Sequence, residues 1–584
     1  MPDRSDLSDS SDLSDRFDLS EFSEFSESSE CSENSPKNNP SMKRLTAILT
    51  AAIAATVPAL ACTSLIVAKG AGEDKSVFIT YAADSHSLYG ELYNQPAADH
   101  PKGAMRKVVE WDTAKPLGEI PEVEHTYATI GNMNEHGLTI AESTWGGRHE
   151  LAGSGIIDYG SLIYITLQRA KTAREAVKIM TDLVDKYGYA SEGESFSIAD
   201  PDEVWIMEMI GKGAKDKGAV WVARRVPDGY ISGHANHARI HTFPLDDPET
   251  LYSKDVISFA RKQGYFKGKD EEFDFSKAYA VTDFGALRGC DARVWAFFNR
   301  HADGMDKYLP WIDRAEGEPL PLWVKPRTTV TAADMKAMMR DHFEGTPYDM
   351  THDIGAGPYH VPYRWRPMTF EVDSVEYTNE RAIATQQTGF SFVAQMRGHL
   401  PDYMKGLLWF GTDDANTCVY LPIFCSVDHA PHEVAVGNGD MNTLSWTSNF
   451  WVNNYVANQA YNRYSQMIPD IRKVQSELED AIVVDVNVAI DQVPYFETED
   501  AKELLQNLAD IWAKKATDRY KELGDYLFVK YMDGNVKNEE NGKFKRNEYG
   551  MPAYPSFPGY DERYYRSIVE DAGEHLKVRE INYK

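Results

Sequence analysis

The hydrophobic pattern of the chain predicts antiparallel strands interspersed with helices. Short apolar or β-branched runs flank turns between Ser64–Ala68 and Val77–Tyr81, and again around Asp200–Glu203. Such paired runs favour β-hairpins. Apolar residues recur every three or four positions from Ile163 to Tyr187, which indicates an amphipathic helix. The pattern therefore predicts an α+β fold.

The second half of the chain changes from a mixed to a helical pattern. A helix is expected near Leu251–Gln263, and the runs Ala382–Gln387, Gly406–Gly411 and Val419–Phe424 are strand-like. From Leu444 to about Tyr531 the spacing of apolar residues is helical. The tail after this stretch is rich in Gly, Pro and Tyr and predicts an irregular surface segment.

The N-terminal 41 residues have a different composition from the rest of the chain. Residues 1–41 repeat Ser with Asp or Glu and offer little apolar surface to bury, which is typical of disorder. A phosphorylated tail is the functional alternative. The reading that we favour is that Met42 starts the protein and that residues 1–41 are a spurious upstream extension.

Residues 42–61 have the three parts of a secretory signal peptide. Lys43 and Arg44 form a short basic region, Leu45–Leu60 is apolar, and Ala59-Leu60-Ala61 is a small-x-small cleavage site. The apolar run is short for a membrane span. We therefore expect export to the periplasm or the medium, with no stable membrane insertion after cleavage.

Composition narrows the range of functions. Among 584 residues the formal net charge is −29, which argues against a nucleic-acid partner because phosphates attract basic surfaces. The five cysteines are too sparse for a disulfide framework and lack zinc-site spacing. We expect no metal and no cofactor.

Cleavage after Ala61 would make Cys62 the first residue of the mature chain. Such a residue combines a thiol nucleophile with a free α-amine that can accept the thiol proton, because the ordinary pKa of the amine is roughly 7.7–8.0. A competing interpretation is a lipoprotein acylated at Cys62, which would block the thiol and leave a protein that binds peptides without cleaving them. A large aliphatic residue is usual three positions before such a cysteine, whereas this chain has Ala59.

A series of short motifs, in order along the chain, resembles the cysteine-type N-terminal-nucleophile dipeptidases. Their relatives are the secernins and, more distantly, the bile-salt hydrolases and penicillin V acylases. The motifs are Cys62-Thr63-Ser64, Ala83-Asp84, Asn134-Glu135-x-Gly137-Leu138, Ala235-Asn236-His237, Arg293-Val294-Trp295 and Leu408-Trp409-Phe410-Gly411. The resemblance implies a four-layer αββα sandwich, exposure of the cysteine by processing, and hydrolysis of dipeptides. It also implies a catalytic domain over residues 62–443, followed by a helical region and irregular tail over 444–584.

The resemblance also implies roles for single residues around the Cys62 nucleophile. Asp84 matches an acid that holds the α-amine, Asn236 an amide that binds the oxyanion, and Arg293 an arginine near the active site. Thr144 falls where the acylase relatives place a second oxyanion group, although its residue type does not match well. Tyr81 stands where those relatives carry an arginine; we place Tyr81 and Thr144 on the substrate side of the site.

These observations predict an exported cysteine hydrolase whose partner is a dipeptide or short-peptide substrate. The rival within the same enzyme class is an amide hydrolase of the bile-salt or penicillin type. Whether the protein forms a homo-oligomer is left open by the sequence.

Overall fold

The computed structural model describes residues 62–280 and 282–581. The low-complexity segment 1–41, the expected signal peptide 42–61 and Cys31 therefore lie outside the described residues. The boundary at 443/444 stays a prediction.

The strands and helices are numbered in chain order over these described ranges. The strands are β1 Ser64–Val67, β2 Val77–Asp84, β3 Asn94–Gln95, β4 Ala98–Asp99, β5 Met105–Val109, β6 Pro116–Pro121, β7 His125–Thr126, β8 Thr129–Ile130, β9 Met133–Asn134, β10 Thr139–Gly146, β11 Gly193–Ala199, β12 Val204–Gly211, β13 Ala219–Arg225, β14 Ile231–His234, β15 Thr250–Tyr252, β16 Trp323–Val324, β17 Thr369–Val372, β18 Val375–Thr378, β19 Thr388–Met396, β20 Gly406–Thr412, β21 Leu421–Phe424, β22 Glu539–Glu540 and β23 Lys543–Phe544. The helices are α1 Tyr159–Leu167, α2 Ala173–Tyr187, α3 Val256–Gln263, α4 Phe275–Tyr279, α5 Ala292–His301, α6 Leu309–Arg314, α7 Ala332–Met339, α8 Asn449–Ala460, α9 Tyr464–Gln492, α10 Thr498–Tyr531 and α11 Glu562–Ala572.

Two large antiparallel sheets organise the described part of the chain. The first has the strand order β16-β14-β1-β2-β19-β20-β21, and the second has the order β15-β13-β12-β11-β10-β9-β8-β3. Helices α1 and α2 pack on the second sheet, while α7 packs on β2 and β19 of the first. The α+β expectation is confirmed.

Buried polar side chains connect the two sheets. The hydroxyl groups of Ser64 on β1 and Ser197 on β11 are 2.8 Å apart. The ring of His234 on β14 lies 2.6 Å from the Ser143 hydroxyl and 2.8 Å from that of Ser197. Burial lowers the pKa of His234 to about 3, so this histidine is neutral and exchanges hydrogen bonds with both serines. The sheets therefore face each other with β1 and β10 close together.

Two local predictions are wrong, and a third has a different start. The stretch expected as one helix from Ile163 to Tyr187 forms two, because the Thr172 side chain accepts a 3.2 Å bond from the Glu175 amide and starts α2. The helix expected near Leu251–Gln263 is confirmed as α3, which begins at Val256, whereas Leu251 lies in strand β15, paired with β13. The Ala382–Gln387 run forms no strand, since the Ala384 amide donates to the Asp341 carbonyl at 3.1 Å.

A shielded ion pair joins the helical C-terminal stretch to Arg340, the residue that follows α7. Helices α8, α9 and α10 contact strands β20 and β21. Glu479 on α9 accepts from the Arg340 guanidinium at 2.5 and 3.2 Å and from the Tyr420 amide at 3.0 Å. Burial opposes ionisation of this carboxyl, but Arg340 and Lys336 outweigh it and lower the pKa of Glu479. Within the described ranges, no helix combines the length and the apolar character needed to cross a lipid bilayer.

The Glu479→Gln substitution should destabilise the protein because it leaves the Arg340 charge shielded from water without its partner. Breaking a buried ion pair from one side costs about 3 kcal/mol. The matched control is Glu477→Gln, at an exposed position on the same helix, which should change the unfolding midpoint very little. Thermal unfolding of the two variants is the measurement, and equal midpoints would contradict this account.

The same pair predicts a pH dependence. A carboxyl whose pKa is lowered on folding stabilises the protein above its unfolded value of about 4.3 and loses that contribution as the pH falls through the folded value. The difference in unfolding midpoint between Glu479→Gln and the unsubstituted protein should therefore shrink below about pH 4. A difference that grows with acidity would contradict the assignment.

Candidate active site

Cys62 lies two residues before the first residue of β1, and a single arginine fixes its main chain. Arg293, near the start of α5, is only 1% exposed. Its Nη1 donates to the Cys62 carbonyl at 2.7 Å and to the Thr63 hydroxyl at 2.6 Å. Burial and the neighbouring charge of Arg381 lower the pKa of Arg293 to about 10, so it remains cationic at neutral pH. Arg293 is thus a buried positioning group and not a surface ion pair.

The same arginine also binds Asn236 and so connects it to Cys62. The Arg293 Nη2 donates to the Asn236 Oδ1 at 2.8 Å and to the Ala235 carbonyl at 3.2 Å. The Asn236 Nδ2 donates in turn to the Thr144 carbonyl at 2.6 Å. Asn236 has a positive φ of 60°, a left-handed conformation that asparagine tolerates better than most residues.

The Cys62 thiol is linked to Glu142 on β10 through the hydroxyl group of Tyr81 on β2. Its Sγ is 3.8 Å from the Tyr81 hydroxyl, and that hydroxyl donates to Glu142 Oε1 in a short hydrogen bond. Cys62, Tyr81 and Glu142 all line one pocket, together with Asp84 and the aromatic side chains of Trp111, Tyr159, Tyr164 and Phe390. Tyr81 therefore contacts the Cys62 thiol directly.

Asp84, the last residue of β2, lines this pocket with its carboxyl group already engaged. The Arg381 guanidinium forms a short ion pair with Asp84 Oδ2, and the Thr388 hydroxyl donates to Oδ1 at 2.6 Å. The Asp84 backbone amide also hydrogen-bonds to the Cys62 sulfur. An arginine is thus present beside the acid, although it comes from a loop before β19 and not from β2.

Burial is the main influence on the thiol. It raises the pKa of Cys62 well above its ordinary value, and the negative charges of Glu142 and Asp84 raise it further. The hydrogen bonds that the thiol forms with the Asp84 amide and the Tyr81 hydroxyl oppose this effect only in part. In a chain where Ala61 is still attached, the Cys62 nitrogen is an amide and cannot act as a base, so the thiol remains protonated at neutral pH.

A second buried carboxyl group lies beside Glu142. Glu194 on β11 is fully buried and accepts a 2.6 Å hydrogen bond from the Thr144 hydroxyl. Burial and the neighbouring Glu142 raise the pKa of Glu194 well above its ordinary value, and burial also raises that of Glu142. Both shifts favour the protonated form of this pair of carboxyl groups.

The structure brings most of the sequence-predicted residues together. Cys62, Tyr81 and Asp84 line the pocket, whereas Asn236 and Arg293 lie on the main-chain side of Cys62. Thr144 lies beside Asn236, but its hydroxyl is turned to Glu194 and its side chain is not among the pocket-lining groups. The roles assigned to these residues stay predictions.

Sequence reasoning missed Glu142, Glu194 and Arg381. The two glutamates did leave a signal, because Glu142 lies within the strand-like run Leu138–Trp145 and Glu194 begins the strand-like run Glu194–Ala199. A charged residue in a strand that is buried on both faces needs a partner or a function. Arg381 left no such signal, since only the fold brings it to Asp84.

Removing the Glu142 charge should make the thiol more acidic. Glu142→Gln takes away a negative charge that disfavours the thiolate, so the pKa of Cys62 should fall. Thiolate absorbance in the ultraviolet, titrated with pH after subtraction of a Cys62→Ala spectrum, measures it. Asp112→Asn, which alters a more exposed acid of the same pocket, is the matched control and should shift the pKa less. An unchanged or higher pKa in Glu142→Gln would contradict the electrostatic account.

Comparison with known proteins places this site in a family. The model of peptidase family C69 matches residues 61–477. The chain is 26% identical over 391 residues to a "Probable dipeptidase" of Latilactobacillus sakei, covering 63% of this chain and 75% of the relative. It is 27% identical over 394 residues to a "Probable dipeptidase" of Salmonella dublin, covering 63% and 82%. With the family match spanning most of its length, and beginning one residue before the buried thiol, this chain belongs to peptidase family C69.

Proposed function

We propose that this chain is a cysteine dipeptidase in which Cys62 becomes the N-terminal residue and the nucleophile. The observation that carries the proposal is the position of the Cys62 thiol, in a pocket at the start of β1 and adjoining the predicted cleavage site. The family match supports peptide hydrolysis, and relatives named dipeptidase support short substrates.

In the proposed reaction the free α-amine of Cys62 accepts the thiol proton, and the thiolate attacks the scissile carbonyl carbon. The carbonyl oxygen becomes an oxyanion, which the Asn236 amide is proposed to stabilise. As the C–N bond breaks, the leaving amine takes the proton from the α-ammonium, and a thioester remains on Cys62. Water then attacks the thioester, gives a proton to the α-amine, and releases the acid and the thiol.

Asp84 and Arg293 are proposed to position the two ends of the nucleophilic residue. Asp84 adjoins the sulfur and would orient the α-amine and favour its cationic form. Arg381 balances part of the Asp84 charge through the ion pair. Arg293 holds the Cys62 carbonyl and thereby limits rotation of the residue.

Three finer features belong to the same proposal. The facing sheets, with helices α1 and α2 on one outer face and α7 on the other, support a four-layer αββα arrangement. Residues 42–61 are proposed to direct export and to be removed by signal peptidase or by self-cleavage. The periplasm or the medium would then be the site of action.

Cys62→Ala should abolish dipeptide hydrolysis, with kcat/KM falling by at least about 1000-fold, because no other group can form the acyl-enzyme. Cys425→Ala is the matched control. It removes another buried free thiol, far from the pocket lining in the sequence and in the structure, and should keep activity. Release of amino acids from a dipeptide is the readout. Retained hydrolysis in Cys62→Ala would refute the proposal.

A further inference from the structure

The pocket beside the Cys62 thiol has acidic groups without a matching cation at its inner end. Asp84, Asp112 and Glu142 line it, and the described lining residues include no lysine or arginine. Asp84 is balanced by Arg381 from outside the pocket. Among the ion pairs formed by the described residues, none involves Glu142, Glu194 or Asp112.

Glu142 also has a carboxyl oxygen that no donor among the described residues satisfies. The Glu194 carboxyl lies within hydrogen-bond reach, and a bond between the two carboxyl groups needs a proton on one of them. Glu142 is 1% exposed, and its Oε2 accepts no hydrogen bond from a donor among the described residues. The Oε2 of the adjacent, fully buried Glu194 is in the same state. A buried carboxylate is costly unless it is protonated or paired with a cation. The two oxygens therefore require either a shared proton or a cationic ligand.

Glu142 is linked to the Cys62 sulfur through one hydroxyl group, and a dipeptide carries its cation close to the carbonyl that this sulfur is proposed to attack. The α-nitrogen of a peptide lies about 2.5 Å from the carbonyl carbon of its own residue, across two covalent bonds. In a dipeptide that carbonyl is the scissile one, which the Cys62 sulfur must contact. The Tyr81 hydroxyl bridges this sulfur and Glu142 Oε1, so the carboxyl group is one hydroxyl away from the reaction centre.

The size and walls of the pocket fit the same ligand. Its cavity volume is about 30 Å³, which accommodates a few water-sized groups such as an ammonium ion. Leu88, Ile163 and Phe390 supply apolar walls beside the acids. These walls suit the side chain of the first residue, while Asp112 lies nearer to solvent.

We propose that Glu142, with Glu194 behind it, binds the free α-ammonium group of the substrate and so restricts cleavage to peptides with an unblocked N-terminus. This inference rests on the proposed hydrolase function. The ammonium group replaces the proton that the two carboxyl groups otherwise share, and it fixes the first carbonyl against the sulfur. Longer peptides lose only their first residue at such a site, and N-acylated peptides are not substrates.

The test compares an unblocked dipeptide with its des-amino analogue, in which hydrogen replaces the α-amine. The unsubstituted enzyme should prefer the unblocked dipeptide strongly in kcat/KM. In Glu142→Gln the ratio of the two kcat/KM values should fall by roughly 10- to 100-fold, which corresponds to the loss of one hydrogen bond to a charged group. The change should appear mainly in KM. The Glu142→Gln substitution also changes the acidity of the thiol, but that effect acts on both substrates alike, so the ratio of the two kcat/KM values measures the ammonium contact. Glu142→Asp, which keeps the charge, should retain most of the preference.

Two kinetic outcomes would overturn the proposal. An equal loss of kcat/KM on both substrates would mean that Glu142 acts on the thiol or on the enzyme's own α-amine. Unchanged kcat/KM on both substrates would mean that it contacts neither. Asp112→Asn is the matched control and should reduce the preference less than Glu142→Gln.

A binding experiment keeps this inference separate from the proposed reaction. Calorimetry with Cys62→Ala should detect the unblocked dipeptide and should not detect the des-amino analogue. Adding Glu142→Gln should abolish the difference. If the unsubstituted enzyme cleaves neither compound, the proposed hydrolysis fails, whereas this calorimetric difference still supports the ammonium site. If both compounds bind Cys62→Ala equally, the ammonium site is refuted whatever the kinetics show.

Discussion

The hydrogen bond from Arg293 to the Cys62 carbonyl is the interaction on which the site depends. One buried guanidinium joins Cys62 and Thr63 at the start of β1 to Ala235 and Asn236 beyond the end of β14. These two segments belong to neighbouring strands, so the sheet brings them close and the arginine fixes their relative position. A charged donor is worth about twice a neutral one in such a bond. Cys62 is therefore oriented by the core of the fold and not by a surface loop.

The surroundings of the thiol are unfavourable to its reactive form. Burial and two neighbouring acids raise the pKa of Cys62, and no histidine is among the described groups that line the pocket. A base must therefore be supplied from another source, and the α-amine of Cys62 itself is the one that the proposal uses. The same acids that disfavour the thiolate favour cations, which is why an ammonium group, on the enzyme or on a substrate, is the natural complement of this pocket.

Local patterns predicted much of the fold, while contacts between distant segments set the details of the site. The alternation around Val77–Tyr81 was enough to find β2, and the Cys62 motif was enough to find a thiol that lines the pocket. The periodicity from Ile163 to Tyr187 could not show that Thr172 starts a new helix, although its Thr-x-x-Glu spacing is a capping pattern. The pairing of Arg381 with Asp84 spans 297 positions, and no local pattern encodes it.

The central claim is that the chemistry exists only once the bond between Ala61 and Cys62 is broken. The most direct measurement separates the chain into species by intact mass and assays each for dipeptide hydrolysis. The account predicts that activity resides in the species whose first residue is an unmodified Cys62, and that chains retaining Ala61 are inactive. Activity in a chain that still carries Ala61, or a mature cysteine that bears a lipid, would contradict it.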